Sequence, residues 1–132
     1  MKKVKQISVR LENKPGNLAH FCQRLEGNNI NIIAFSVVEH TLQYVVRLVV
    51  EDSPAVLKTL DEWHLEYNET DVILFDLPHG NRALAELARK PTRKEISVNF
   101  TYMSKSLDGE KSYIVIGTPD VEATMRALRH VE

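Results

Sequence analysis

The sequence predicts an α+β protein made of two tandem β-α-β-β-α-β units. Each is an antiparallel sheet with its helices on one face, and the second lacks a clear final strand. Three observations predict it. Short segments alternate apolar and polar residues. Apolar stripes at helical spacing lie between them. The order of elements is then traversed a second time. Domains at residues 1–70 and 71–132 follow from that repetition.

Ile7, Val9 and Leu11 alternate with Ser8, Arg10 and Glu12, the period of a strand with one buried face. The cluster Asn13-Lys14-Pro15-Gly16-Asn17 turns the chain. Leu18, Phe21, Cys22 and Leu25 then form a helical stripe, which Gly27-Asn28-Asn29 ends with a left-handed cap. Ile30 to Glu39 is a strand apolar on both faces, and His40-Thr41-Leu42 reverses it into the β-branched strand Gln43 to Val50. Ser53-Pro54 opens a second helix, with Ser53 as cap and Val56, Leu57, Leu60 and Trp63 as its stripe. After Leu65 the chain is extended again, through Val72-Ile73-Leu74-Phe75.

The second passage repeats this order. Val72 to Leu77 is followed by the turn residues Pro78-His79-Gly80-Asn81. A helix then turns Ala83, Leu84, Leu87 and Ala88 inward, with Pro91 near its end. Ile96, Val98, Phe100 and Tyr102 alternate as a strand, Asp108-Gly109 makes a hairpin turn, and Tyr113 to Ile116 is the next strand. Thr118-Pro119 repeats the helix start, and Val121, Thr124, Met125 and Leu128 form the last stripe. The halves align Leu18 with Leu84, Ala19 with Ala85, Ile30 with Ile96, Asp52 with Asp120, Ala55 with Ala123 and Leu60 with Leu128. The second passage stops after its last helix. One long strand, at about residues 66 to 77, therefore serves both units, or a partner chain completes the sheet. An open sheet edge needs cover, which predicts a homodimer.

Composition excludes several classes. The chain has 132 residues, 43% hydrophobic and 27% charged, with a formal charge of −1. That is globular composition, without the net basic field that draws in nucleic acid or anionic membranes. The single Cys22 rules out an intramolecular disulfide framework and a thiolate zinc cage, and its place on the helical stripe reads as a buried structural cysteine. His20, His40, His64, His79 and His130 carry no metal-ligand spacing. Neither a metal nor a cofactor is expected. The start Met1-Lys2-Lys3-Val4-Lys5-Gln6 has no apolar run behind it, and no stretch approaches the ~20 apolar residues of a membrane span. A cytoplasmic protein is expected.

Split β-α-β units on an antiparallel sheet make the ferredoxin-like fold, which hosts many functions. The local sequence narrows the choice. The run from Ile7 through Asn13-Lys14-Pro15-Gly16-Asn17-Leu18-Ala19, followed by Asn31-Ile32, resembles an ACT domain over residues 4 to about 65. The family pattern is a strand, Asn or Asp, any residue, Pro-Gly, a variable residue, Leu, a helix, and an Asn-Ile opening the second strand. The whole chain resembles free-standing tandem ACT proteins, and its beginning also resembles the regulatory subunit of acetolactate synthase. The resemblance implies a non-catalytic regulator that binds a small ligand, usually an amino acid. Its nearest alternative is a subunit bound to a biosynthetic enzyme.

The residues support a ligand loop on their own terms. A glycine-containing loop entering a helix presents unpaired backbone N–H groups and the positive end of the helix dipole, which suits a carboxylate. Gly16 lets a ligand approach the backbone, and Asn13 and Asn17 supply acceptors for an α-ammonium group. The plainer reading is that Pro15-Gly16 only makes the turn and Asn17 only caps the helix. The candidate ligand residues are Asn13, Pro15, Gly16, Asn17, Leu18, Asn31 and Ile32, with Ile32 read first as a core residue. A possible second site is His79, Gly80 and Asn81, where Pro78 and Gly80 are separated by His79 and the family spacing is lost.

Two other classes fit less well. An acylphosphatase needs an Arg-bearing, Gly-rich phosphate loop, and this loop offers only Lys14. An RNA-recognition module needs exposed aromatic residues on its central strands, whereas Tyr44, Val46, Leu48 and Val50 form an aliphatic face. The basic segment around Arg89 reads as a solvated loop.

Overall fold

In the computed structural model, residues 1–76, 79–89, 96–105 and 112–131 are described. The elements are β1 (Lys2–Glu12), α1 (Asn17–Gly27), β2 (Ile32–His40), β3 (Gln43–Val50), α2 (Ser53–Glu62) and β4 (Glu66–Asp76). They continue with α3 (His79–Arg89), β5 (Phe100–Lys105), β6 (Ser112–Gly117), α4 (Val121–Ala127) and a 3-10 turn at Arg129–Val131. The chain divides into two compact units, one of Lys5–Thr70 and one of Met1–Val4 with Asp71–Glu132.

In the Lys5–Thr70 unit the strand order is β2-β3-β1-β4. β1 and β3 are antiparallel, with Ile7 opposite Leu48 and Val9 opposite Val46. The alternation in β1 therefore places Ile7, Val9 and Leu11 on one face beside Val46 and Leu48. Phe21 and Leu25 of α1 and Val56 and Leu60 of α2 close over them to form the core. In the other unit the order is β1-β4-β6-β5, and Ile73, Phe75, Ile114 and Ile116 pack with Ala83, Leu87, Leu128 and Val131. Both units are ferredoxin-like, as the repeated element order predicts.

The fourth sheet position of the second unit is not supplied by the end of the chain. Residues 2–4, the beginning of β1, belong to that unit. β4 is likewise divided, with residues 66–70 in the first unit and 71–76 in the second. Two strands of 11 residues each thus serve both units, which is why neither needs a separate final strand.

The caps differ from the sequence expectation by one or two residues. Asp52, not Ser53, caps α2, accepting from the amide of Ala55 at 3.2 Å. Asp120, not Thr118, caps α4, accepting from Ala123 at 3.0 Å. The repeated pairs Asp52/Asp120 and Ala55/Ala123 are thus the acceptor and donor of the same cap, and removing such a cap costs about 0.5–2 kcal/mol. α1 ends with Asn28 as cap and Asn29 in the left-handed conformation, φ 54°, while Gly27 stays helical.

Four further expectations are corrected. The strand expected from Ile96 begins at Phe100, because Ile96 to Asn99 form a tight turn and bends. Ala88 is exposed, while Ala83 and Leu87 are buried. Cys22 is exposed, lying beside the buried Phe21 rather than in the core. His79, Gly80 and Asn81 form the first turn of α3 rather than a loop. The Asp108-Gly109 turn, Leu77, Pro78 and the basic segment 90–94 lie outside the described residues.

Candidate functional site

The loop between β1 and α1 is built by a chain of backbone hydrogen bonds. The Asn13 amide donates to Leu42 O at 2.9 Å, tying the loop to the β2–β3 hairpin. The Lys14 amide donates to Glu12 O at 2.9 Å, and the Asn17 amide to Lys14 O at 3.2 Å. Gly16 is then the N-cap of α1, with φ 85° and ψ −15°. An L-residue is strained in that left-handed conformation. A Cβ built on Gly16 would meet nothing within 4 Å, so the space beside it is open.

No side chain caps α1. Asn17 is the first helical residue, not the cap. Its Nδ2 instead donates back to Glu12 O at 3.0 Å. Asn13 Nδ2 donates to Glu39 Oε1 at 3.1 Å. Both amide nitrogens are thereby engaged within the chain, and the side-chain oxygens of Asn13 and Asn17 remain as acceptors. The Asn17 amide is used by Lys14 O and the His20 amide by Gly16 O, so the first-turn amides that a helix leaves without an intrahelical partner are those of Leu18 and Ala19, with the helix dipole behind them. This is the local chemistry that binds a carboxylate.

Beside the loop lies a cleft of about 540 Å³, lined by residues of the Lys5–Thr70 unit. Lys14 and Asn17 border it, and so do His20, Phe21 and Arg24 along α1. His64 and Glu66 border it at the start of β4, and Arg10 and Glu12 at the end of β1. Lys14 Nζ and Glu12 Oε2 are 2.8 Å apart. The pairing holds the Glu12 carboxyl below its ordinary range and raises the Lys14 ammonium above its own. Arg10 lies 3.6 Å from Glu66. Partial burial pushes the Cys22 thiol up, away from a reactive thiolate.

Asn13, Pro15, Gly16, Asn17 and Leu18 thus sit together at one end of α1. Asn31 and Ile32 follow the other end, and α1 spans about 16 Å at 1.5 Å per residue. Asn31 borders a separate hollow of about 220 Å³ with Asn28, Glu51 and Asp52. Ile32 is 37% exposed on β2. His79 and Asn81 are exposed on the first turn of α3, and Gly80 is buried. A Cβ on Gly80 would come within 2.9 Å of the Ile114 side chain, so this glycine serves the close approach of α3 to β6. Among the described residues no cluster of His, Cys, Asp and Glu could hold a metal ion, and no helix is long and apolar enough to cross a membrane.

Arg10, His20, Arg24 and His64 line this cleft and are not among the candidate ligand residues of the sequence. A signal for some of them was present. Asn17, His20, Phe21 and Arg24 follow the helical spacing i, i+3, i+4 and i+7, which marks one continuous face. His64 and Arg10 come from elsewhere in the chain and carry no such mark.

The described fold is a pair of ferredoxin-like units, one with a glycine-capped helix beside a cleft. The chain belongs to the ACT domain family: the model of the ACT domain pair matches residues 2–130. It is similar in structure to protein BT0572 from Bacteroides thetaiotaomicron, with a TM-score of 0.78 at 24% identity, covering 97% of this chain and 88% of that one. It is also similar to the regulatory subunit of aspartate kinase from Thermus thermophilus, with a TM-score of 0.59 at 15% identity, covering 96% and 91%. No curated protein matches it. At these identities the two structures share the fold.

Proposed function

We propose that this chain is a non-catalytic regulator that binds an amino acid at the loop between β1 and α1. One observation carries the reading. Gly16 takes φ 85° at an α1 N-terminus that no side chain caps, with open space beside it. The α-carboxylate lies against the first-turn amides, and the α-ammonium is accepted by the side-chain oxygens of Asn13 and Asn17. Lys14, already paired with Glu12, edges the site without dominating it. A panel of the common amino acids at millimolar concentration raises the melting temperature for one or a few members. Binding at one hundred times Kd contributes about 2.7 kcal/mol to apparent stability. A flat panel overturns the reading.

The same reading includes a homodimer. β2 ends the strand order of its unit and exposes Ile32 at 37%, Phe35 at 37% and Val38 at 41%. An edge strand with three exposed apolar side chains is a template for pairing unless something covers it. Light scattering at micromolar concentration is expected to give twice the chain mass of 15.1 kDa. A monomer mass overturns this part while leaving the ligand loop in place.

A further inference from the structure

The cleft beside α1 holds more cationic chemistry than an amino acid's backbone groups require. Among its described lining residues, the cations Arg10, Lys14 and Arg24 face the carboxylates Glu12 and Glu66. Lys14 is engaged by Glu12 and Arg10 lies beside Glu66. Arg24 meets no carboxylate among the described residues. Its guanidinium lies over the Trp63 ring, 4.2 Å from the centroid. Trp63 is itself set edge-on to the buried Phe21, with ring centroids 6.3 Å apart. An aromatic face holds a guanidinium by its plane and leaves the N–H edge available. Arg24 is therefore positioned in advance, with its planar donor fork unused among the described residues, as recognition of a carboxylate needs.

His64 borders the same side of the cleft. It takes the left-handed conformation after α2, with φ 56°. The Leu65 amide reaches back to Leu60 O at 3.2 Å, the closing bond of a helix C-cap that favours glycine at this position. Its side chain lines the cleft together with His20 and Arg24.

The reach is suitable. Gly16 and Arg24 are eight residues apart, about 12 Å along the helix axis. Helical side chains tilt toward the N-terminus, so an extended arginine closes much of that distance. What remains is on the order of one short acidic side chain.

We propose that the amino acid bound here carries an anionic side chain. Its α-carboxylate lies at the Gly16 loop and its side-chain carboxylate on the Arg24 fork. The proposal rests on the amino-acid reading above and adds the class of side chain. An amino acid of net charge −1 balances the single excess cation of the lining, whereas a neutral zwitterion leaves Arg24 unmatched.

Calorimetric titration of the full chain at constant pH and salt, with glutamate, glutamine, aspartate and asparagine, tests it. At least one acid is expected to bind about tenfold tighter than its own amide, as a charge-assisted bidentate pair allows. R24Q brings that ratio to about one, and loss of the Trp63 contact lowers the unliganded melting temperature only slightly, so the variant stays folded at the titration temperature. R24K keeps the charge but loses the planar fork, and gives an intermediate ratio. An amide that binds as tightly as its acid, or a preference that survives R24Q, overturns the proposal and leaves the amino-acid reading standing. Binding of neutral amino acids alone does the same. Absence of binding by any amino acid overturns both.

Discussion

Replacing Phe75 with alanine is expected to lower the unfolding free energy by about 3–5 kcal/mol, the usual cost of emptying a fully buried aromatic site. Phe75 is 0% exposed and lies in the core formed by Ile73, Ala83, Leu87, Ile114, Ile116 and Leu128. Its ring occupies space that neighbouring side chains from three elements cannot collapse into without breaking their own packing. The consequence should reach beyond that core. Phe75 is on β4, and β4 continues without a break into residues 66–70 of the other unit. The chain has one tryptophan, Trp63, and it belongs to the Lys5–Thr70 unit. In urea, the Trp63 fluorescence midpoint of F75A should therefore fall together with the far-ultraviolet circular dichroism midpoint. A fluorescence midpoint that stays at the wild-type value would show that the two units unfold independently, and that the shared strands carry no cooperativity.

The share that β1 takes in the second unit was the part of the fold least legible in the sequence. The alternation of Ile7, Val9 and Leu11 and the stripes of α1 and α2 read directly as elements, because each is a local pattern repeated several times. A long strand at about residues 66 to 77 was also readable, and β4 occupies Glu66–Asp76. The role of residues 2–4 was not. Lys2 and Lys3 are exposed and show no buried face, and Lys3 instead bonds Glu122 at 2.8 Å. A strand that pairs through its backbone while its side chains meet solvent leaves little trace in a hydropathy pattern. The same reason explains Ile96 and Val98. They alternate like a strand, yet alternation records which residues prefer burial, not where hydrogen-bonded pairing begins.

Candidate site residues divide in a similar way. Asn13 to Leu18 are contiguous, so their meeting in one loop follows from the sequence alone. Asn31 follows the helix that the loop begins, and a helix necessarily carries its two ends apart. His79 to Asn81 contain the turn-forming types Gly and Asn, but a glycine can also allow a helix to approach a strand. Gly80 does so against Ile114. Composition cannot separate those two uses. Arg24 over Trp63 is legible only once α1 and the end of α2 are packed side by side.

Gly16 is the residue on which the functional reading turns, and G16V is expected to abolish amino-acid binding while the chain stays folded. The cost to stability comes from backbone conformation, because a Cβ at Gly16 meets nothing within 4 Å. Holding an L-residue at φ 85° costs on the order of 1–2 kcal/mol, and a β-branched residue sits at the upper end. For a domain of this size that is a fall of several degrees in melting temperature. The effect on binding is larger for two reasons. A valine side chain would occupy the open space where the carboxylate approaches, and relief of the strained φ would turn the first-turn amides of α1 away from it. Loss of two charge-assisted hydrogen bonds, at about 1.5–3 kcal/mol each, lowers affinity by at least a hundredfold. G16A separates the two contributions, since alanine shares most of the backbone strain but adds only a methyl group. Its affinity should fall between those of wild type and G16V. Calorimetry on all three proteins, with melting curves recorded without ligand, makes the comparison. Wild-type affinity in a folded G16V protein would move the ligand away from this loop.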